Sequence, residues 1–186
     1  MFKLYLFVFS LLLTESIFSP KDLDFEDKSL RKEMLKLSGT DLSELKEVSI
    51  SDLSDGFHVQ GKYFVLDEPS GLKKYVYVGR VNSCRQGGCS NPIQSMSIET
   101  PEYFDYLVVF DANLLVQQVK VYNYQATHGQ EITNKGWLKQ FQGYDGKRTL
   151  TVGKSIDAIS GATVSVQGIT TDIQEKTRLL KLIIHQ

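Results

Sequence analysis

Residues 155–165 read SIDAISGATVS. Asp157, Ser160, Gly161, Ala162 and Thr163 place one carboxylate, two hydroxyls and several small side chains close together. The stretch runs straight into a helical pattern in which Ile169, Ile173, Leu180 and Ile183 recur on one face. A helix start presents N–H groups without partners and the positive end of the helix dipole. Small neighbours let a bulky ligand approach the main chain. Together these features describe a phosphate site, as in other glycine-rich loops that lead into helices. The same residues also describe a plain helix cap, the commoner outcome for such a turn. Local chemistry leaves both readings open.

A second group lies upstream in HGQEITNKGWLKQFQGY. His128 and Glu131 lie in an irregular, glycine-rich stretch that reads locally as a solvated loop. Trp137 and Phe141 either border a ligand or pack a short helix over about Lys135–Gln142, with Asn134 as its N-cap. His58 and His185, a lone strand histidine and one beside the C-terminus, carry no site signal. The two cysteines, Cys84 and Cys89, stand in CRQGGC. Two glycines between them allow a tight turn, so a disulfide stapling a small loop is the simplest reading outside the cytoplasm. A redox-active dithiol is the second reading. Metal binding is disfavoured, since only two soft ligands are present and no histidine is near.

These residues need a scaffold. FHVQGKYFVL, KYVYVGRV, YFDYLVVFD and LLVQQVKVYNY read as four strands in series, mostly antiparallel. The last two flank DAN, a hairpin turn. RTLTV reads as a further short strand. The expected fold is α+β: a twisted, mainly antiparallel sheet, a C-terminal helix packed on it and a short Trp137-bearing helix near the ligand. Ahead of the sheet, Pro20–Gly39 has a helical pattern with Leu30, Met34 and Leu37 on one face and Gly39 as its stop. Leu42, Leu45 and Val48 suggest a short second helix. Both read as an extension packed on the main domain.

The first residues, MFKLYLFVFSLLLTESIFSP, hold an apolar run from Leu4 to Leu13 behind Lys3. That run is shorter than the roughly 20 residues of a membrane span and fits a signal-peptide core. Cleavage after Ser19 is the expectation, with an uncleaved anchor extended by Ile17 and Phe18 as the alternative. The chain then divides into a signal peptide (1–19), a helical extension (20–54) and a ligand-binding domain (55–186). The net charge of -1 advertises no nucleic-acid surface.

The D-x-x-S-G-A-T run from Asp157 to Thr163 resembles the flavinylation motif of the FMN-binding domain family. That family includes periplasmic flavin subunits of sodium-pumping NADH:quinone oxidoreductase and of the related Rnf complex. His128, Glu131, Trp137, Gln140, Phe141 and Gly143 resemble the family's upstream segment. Glu131-Ile132-Thr133-Asn134 departs from the E-T-P-G run of the ion-pump subunits. The pattern is closer to small exported FMN-binding proteins of other electron-transfer systems.

The resemblance implies covalent FMN, joined through its phosphate to the Thr163 hydroxyl by a dedicated flavin transferase. Asp157, Ser160, Gly161 and Ala162 would be the motif that this transferase reads. His128, Glu131 and Trp137 would belong to the flavin site. It further implies an extracytoplasmic, periplasmic electron carrier with no catalytic residues or metal of its own, a membrane electron donor and an unspecified acceptor. A flavin-dependent reductase acting on a small acceptor, and a non-redox binding module retaining the fold, are the alternatives. In an electron carrier, Cys84 and Cys89 could exchange electrons with the flavin.

Overall fold

A computed structural model describes residues 22–49, 61–68, 71–83 and 102–185. The apolar leader, the Cys84–Cys89 pair and residues 57–60 of the first expected strand lie outside them. Helix α1 (Lys28–Ser38) is followed by a 3-10 turn at Leu42–Glu44 and a two-residue strand, β1 (Lys46–Glu47). Strands β2 (Gly61–Asp67), β3 (Lys73–Asn82), β4 (Tyr103–Phe110) and β5 (Val116–Tyr124) come next. The chain closes with a short helix α2 (Lys135–Leu138), a 3-10 turn at Lys139–Phe141, and the 22-residue helix α3 (Thr163–Ile184).

The sheet is antiparallel throughout, in the order β1-β2-β3-β4-β5. The expected α+β architecture is therefore present, and the sheet has one strand more than the four expected in series. The segment read as a second short helix supplies the 3-10 turn and that edge strand, with Lys46 opposite Val65. RTLTV is not a strand. Val152 makes one isolated bridge to Ile156, and the Leu150 main chain is bonded by a side chain instead: Gln174 Oε1 accepts from Leu150 N at 2.8 Å. A backbone whose groups are met by side chains has no need of a ladder.

Both faces of the sheet are covered. Leu30 and Met34 of α1 reach zero exposure against Phe64, Val76, Val78, Leu107 and Val109. On the opposite face Tyr63, Tyr77, Tyr106, Val108 and Phe104 meet Val166, Ile169, Ile173 and Leu180 of α3. This explains why β4 reads as a nearly unbroken apolar run, since both of its faces are buried. Full burial of residues such as Leu30 and Met34 stabilises by roughly 1.5–3 kcal/mol each. Asp27 caps α1 by accepting from Ser29 N and Leu30 N, and Gly39 ends it in the left-handed conformation.

Helix α3 is fastened by polar contacts as well as by packing. Tyr63 Oη donates to Lys176 O at 2.8 Å. Tyr106 Oη donates to Asp172, whose other oxygen lies 3.3 Å from Lys176 Nζ. Close approach to β3 needs a glycine on the helix: a Cβ at position 168 would fall 2.7 Å from Val81 Cγ1. No described helix is long and apolar enough to cross a membrane.

Candidate functional site

The loop before α3 is held by α2. Asn134 caps α2, its side-chain oxygen accepting from Gly136 N at 2.7 Å and from Trp137 N. Trp137 and Gln140 are three apart, so they share a helix face. Both bind the main chain of Asp157: Trp137 Nε1 donates to Asp157 O at 2.9 Å, and Asp157 N donates to Gln140 Oε1 at 2.7 Å. Gln140 Nε2 in turn donates to Trp137 O. Phe141, fully buried, meets the Trp137 ring edge-on at 5.5 Å. Asp157 is therefore clamped at both of its peptide groups while its side chain stays exposed.

The loop then rises to the helix. Ser160, Gly161 and Thr163 are exposed, and Gly161 has φ +81°. Ala162 is the N-cap residue, offers no side-chain cap and is only 2% exposed. Thr163 opens α3 with its side chain outward. The helix start thus has the features of a phosphate site: an N-cap residue whose side chain meets none of the first amides, small neighbours and an accessible hydroxyl. Beside Thr163, a groove of ≈ 670 Å³ follows α3 past Val164, Gln167 and Thr171 to Asp172, with Val81 and Asn82 as its other wall.

His128 and Glu131 are exposed, Glu131 within a 3-10 turn at Gln130–Thr133. The turn at His128 is tied to the start of α3. Tyr124 Oη donates to His128 O and lies 3.1 Å from Ser165 Oγ, which is 2.8 Å from Ser83 Oγ. Gly129 packs beneath: a Cβ there would sit 2.8 Å from Ser165 Oγ and 2.9 Å from Tyr124 Oη. Its φ of +91° also favours glycine. Burial raises the Tyr124 phenol above its ordinary value, and the neighbouring hydroxyls of Ser165 and Ser83 oppose the shift.

Residues 95–176 match the family model described as FMN-binding domain. That segment is similar to the FMN-binding domain family. The matched segment spans β4, β5, α2, the motif loop and most of α3. No curated protein and no solved structure matches the chain. The matched segment shares its sheet with β1, β2 and β3, which precede it, and β3 pairs with β4 from Tyr75 to Asn82.

The motif residues fit an FMN phosphate, since a helix start without a cap from its N-cap side chain, exposed Ser160 and Gly161 and the exposed Thr163 lie together. Within the matched segment, the structure brings Asp157, Trp137 and the Thr163 loop together, and the Ala162 side chain turns inward beneath it. The Trp137 indole N–H is engaged by the loop main chain. Sequence reading missed Tyr124, Ser165 and Ser83. The available signal was their hydroxyls at strand ends and in the first helical turn, which says nothing about pairing across the fold.

Proposed function

We propose that this protein is an electron-transfer flavoprotein bearing FMN on Thr163 through a phosphodiester bond. One observation carries the reading: Thr163 is an exposed hydroxyl at the first position of a long helix whose N-cap residue, Ala162, offers no side-chain cap, at the end of a motif loop braced by Trp137 and Gln140. In the modification the Thr163 oxygen bonds to the phosphorus of the FMN half of FAD. The diphosphate P–O bond breaks, AMP leaves and the threonine proton is released. The product keeps a negative charge beside the positive helix end. Bound FMN supplies one- or two-electron chemistry, and the chain holds and orients it.

The proposed setting is the periplasm, reached through the apolar leader. The proposed partners are a flavin transferase, a membrane electron donor and a downstream acceptor. The proposed division is a leader at 1–19, an extension at 20–54 and the binding domain at 55–186. His128 and Glu131 are proposed to face the flavin from the turn tied to α3, and Asp157, Ser160 and Gly161 to be read by the transferase.

Intact mass tests the reading. The full chain, co-expressed with a flavin transferase, gains the mass of FMN less water, and Thr163→Ala does not. Wild-type protein without that gain, beside a known target that is modified, would remove Thr163 as the attachment residue.

A further inference from the structure

We infer that Ser165 is a positioning residue for the modification of Thr163, acting through a one-way chain of hydroxyls beneath the first turn of α3. The inference rests on the reading of Thr163 as the flavin acceptor. Ser165 is two residues past Thr163, is 2% exposed and turns its hydroxyl into the fold.

The direction of the chain follows from counting protons. Each hydroxyl has one. The His128 carbonyl only accepts, so Tyr124 uses its proton there. At the 3.1 Å contact between Tyr124 Oη and Ser165 Oγ, the proton is then Ser165's. At the 2.8 Å contact between Ser165 and Ser83, it is Ser83's. The order is Ser83 to Ser165 to Tyr124 to the His128 carbonyl. Chains aligned in one direction polarise each link in turn.

Three separate segments are joined to α3 this way: the residue after β3, the end of β5 and the turn at His128–Gly129. The Tyr124 ring is itself stacked on the buried Phe104 at 5.7 Å. Ser165 therefore fixes where the first turn of α3 sits on the sheet, and with it the outward placement of the Thr163 hydroxyl. A reacting oxygen gains from being held in one place, and a misplacement of about 1 Å can cost about a hundredfold in rate.

The test follows FMN transfer from FAD to the folded full chain by a purified flavin transferase, using intact mass. Ser165→Ala is expected to slow the transfer about tenfold, inside that hundredfold limit. The loss should appear in kcat, with KM for the chain unchanged because the exposed motif is intact. Ser165→Thr, which restores the hydroxyl, should recover most of the rate. Transfer to Ser165→Ala at the wild-type rate overturns the inference. So does a Ser165→Thr variant that melts like wild type yet is modified as slowly as Ser165→Ala. If Ser165→Ala does not fold, Tyr124→Phe carries the test, since it keeps the ring on Phe104 and removes the hydroxyl. Slow transfer to that variant supports the chain, and wild-type transfer overturns it. A wild-type chain that takes no FMN at all sinks the Thr163 reading instead, a separate outcome.

Discussion

The Trp137 indole N–H reaches Asp157, twenty residues further along the chain, and donates to its main-chain carbonyl at 2.9 Å. This bond, with the matching one from Asp157 N to Gln140, sets the start of the motif loop on α2. Trp137→Phe keeps an aromatic ring against Phe141 and removes the donor. A net loss of about 1 kcal/mol is expected, seen as a fall of about 2–4 °C in Tm. Amide hydrogen exchange across residues 156–162 should speed up. Unchanged exchange there would mean that the loop is held by other contacts.

Gly129→Ala meets two obstacles. The backbone is left-handed there, and the added methyl overlaps Ser165 Oγ and Tyr124 Oη. Destabilisation of about 1–3 kcal/mol is expected from overpacking alone. Denaturant unfolding reads this directly. Gly143→Ala serves as the comparison, because it shares the positive φ and has open space around its added carbon. The Gly129 variant should be the less stable of the two, and equal losses would show that backbone strain accounts for the whole effect.

Asp172 and Tyr106 should not be equivalent, although they are bonded to each other. Tyr106→Phe removes one hydrogen bond, at a cost of about 1 kcal/mol. Asp172→Ala strands both the Tyr106 hydroxyl and the buried Lys176 ammonium, so about 3 kcal/mol is expected. Urea unfolding of the two single variants and the double variant measures the difference. Similar single losses would show that the contact between Asp172 and Lys176 adds little to the fold.

Alkaline pH should unfold the protein through its tyrosines. Burial, the first cause in every case, raises the phenols of Tyr63, Tyr77, Tyr106, Tyr122, Tyr124 and Tyr144 above their ordinary value. The unfolded chain releases these protons near pH about 10, and the fold retains them. Their contribution is therefore fully present below that pH and declines as pH rises above it. Tm measured against pH should fall from about 10 upward. Phenolate absorbance should show a large share of the tyrosines ionising only together with unfolding. Smooth titration of all tyrosines in a folded protein would contradict their burial.

Local pattern was enough for much of this molecule. Alternation and β-branched runs marked β2 to β5, and the spacing of Ile169, Ile173, Leu180 and Ile183 marked α3. Asn134 and Gly39 act as the caps that their types suggest. The loop into α3 was also legible, because Asp157, Ser160, Gly161, Ala162 and Thr163 are consecutive or nearly so and stand just ahead of a helical pattern. RTLTV was misread as a strand because its β-type residues carry no sign that Gln174, on α3, meets the Leu150 backbone. Lys46–Glu47 was missed as a strand because two residues make no pattern, and pairing with Val65 and Phe64 alone defines it.

What only the tertiary structure decided is how the loop is held. Trp137 and Gln140 on Asp157, and Ser83 and Tyr124 on Ser165, are contacts between residues 17 to 82 positions apart. A hydroxyl or an indole N–H does not announce its partner in sequence, because hydrogen bonding is fixed by distance and angle, and these exist only once the sheet, α2 and α3 are packed. The residue types proposed to carry FMN stand in one short run. The geometry that turns the Thr163 side chain outward and buries Ala162 beneath it came from the whole fold.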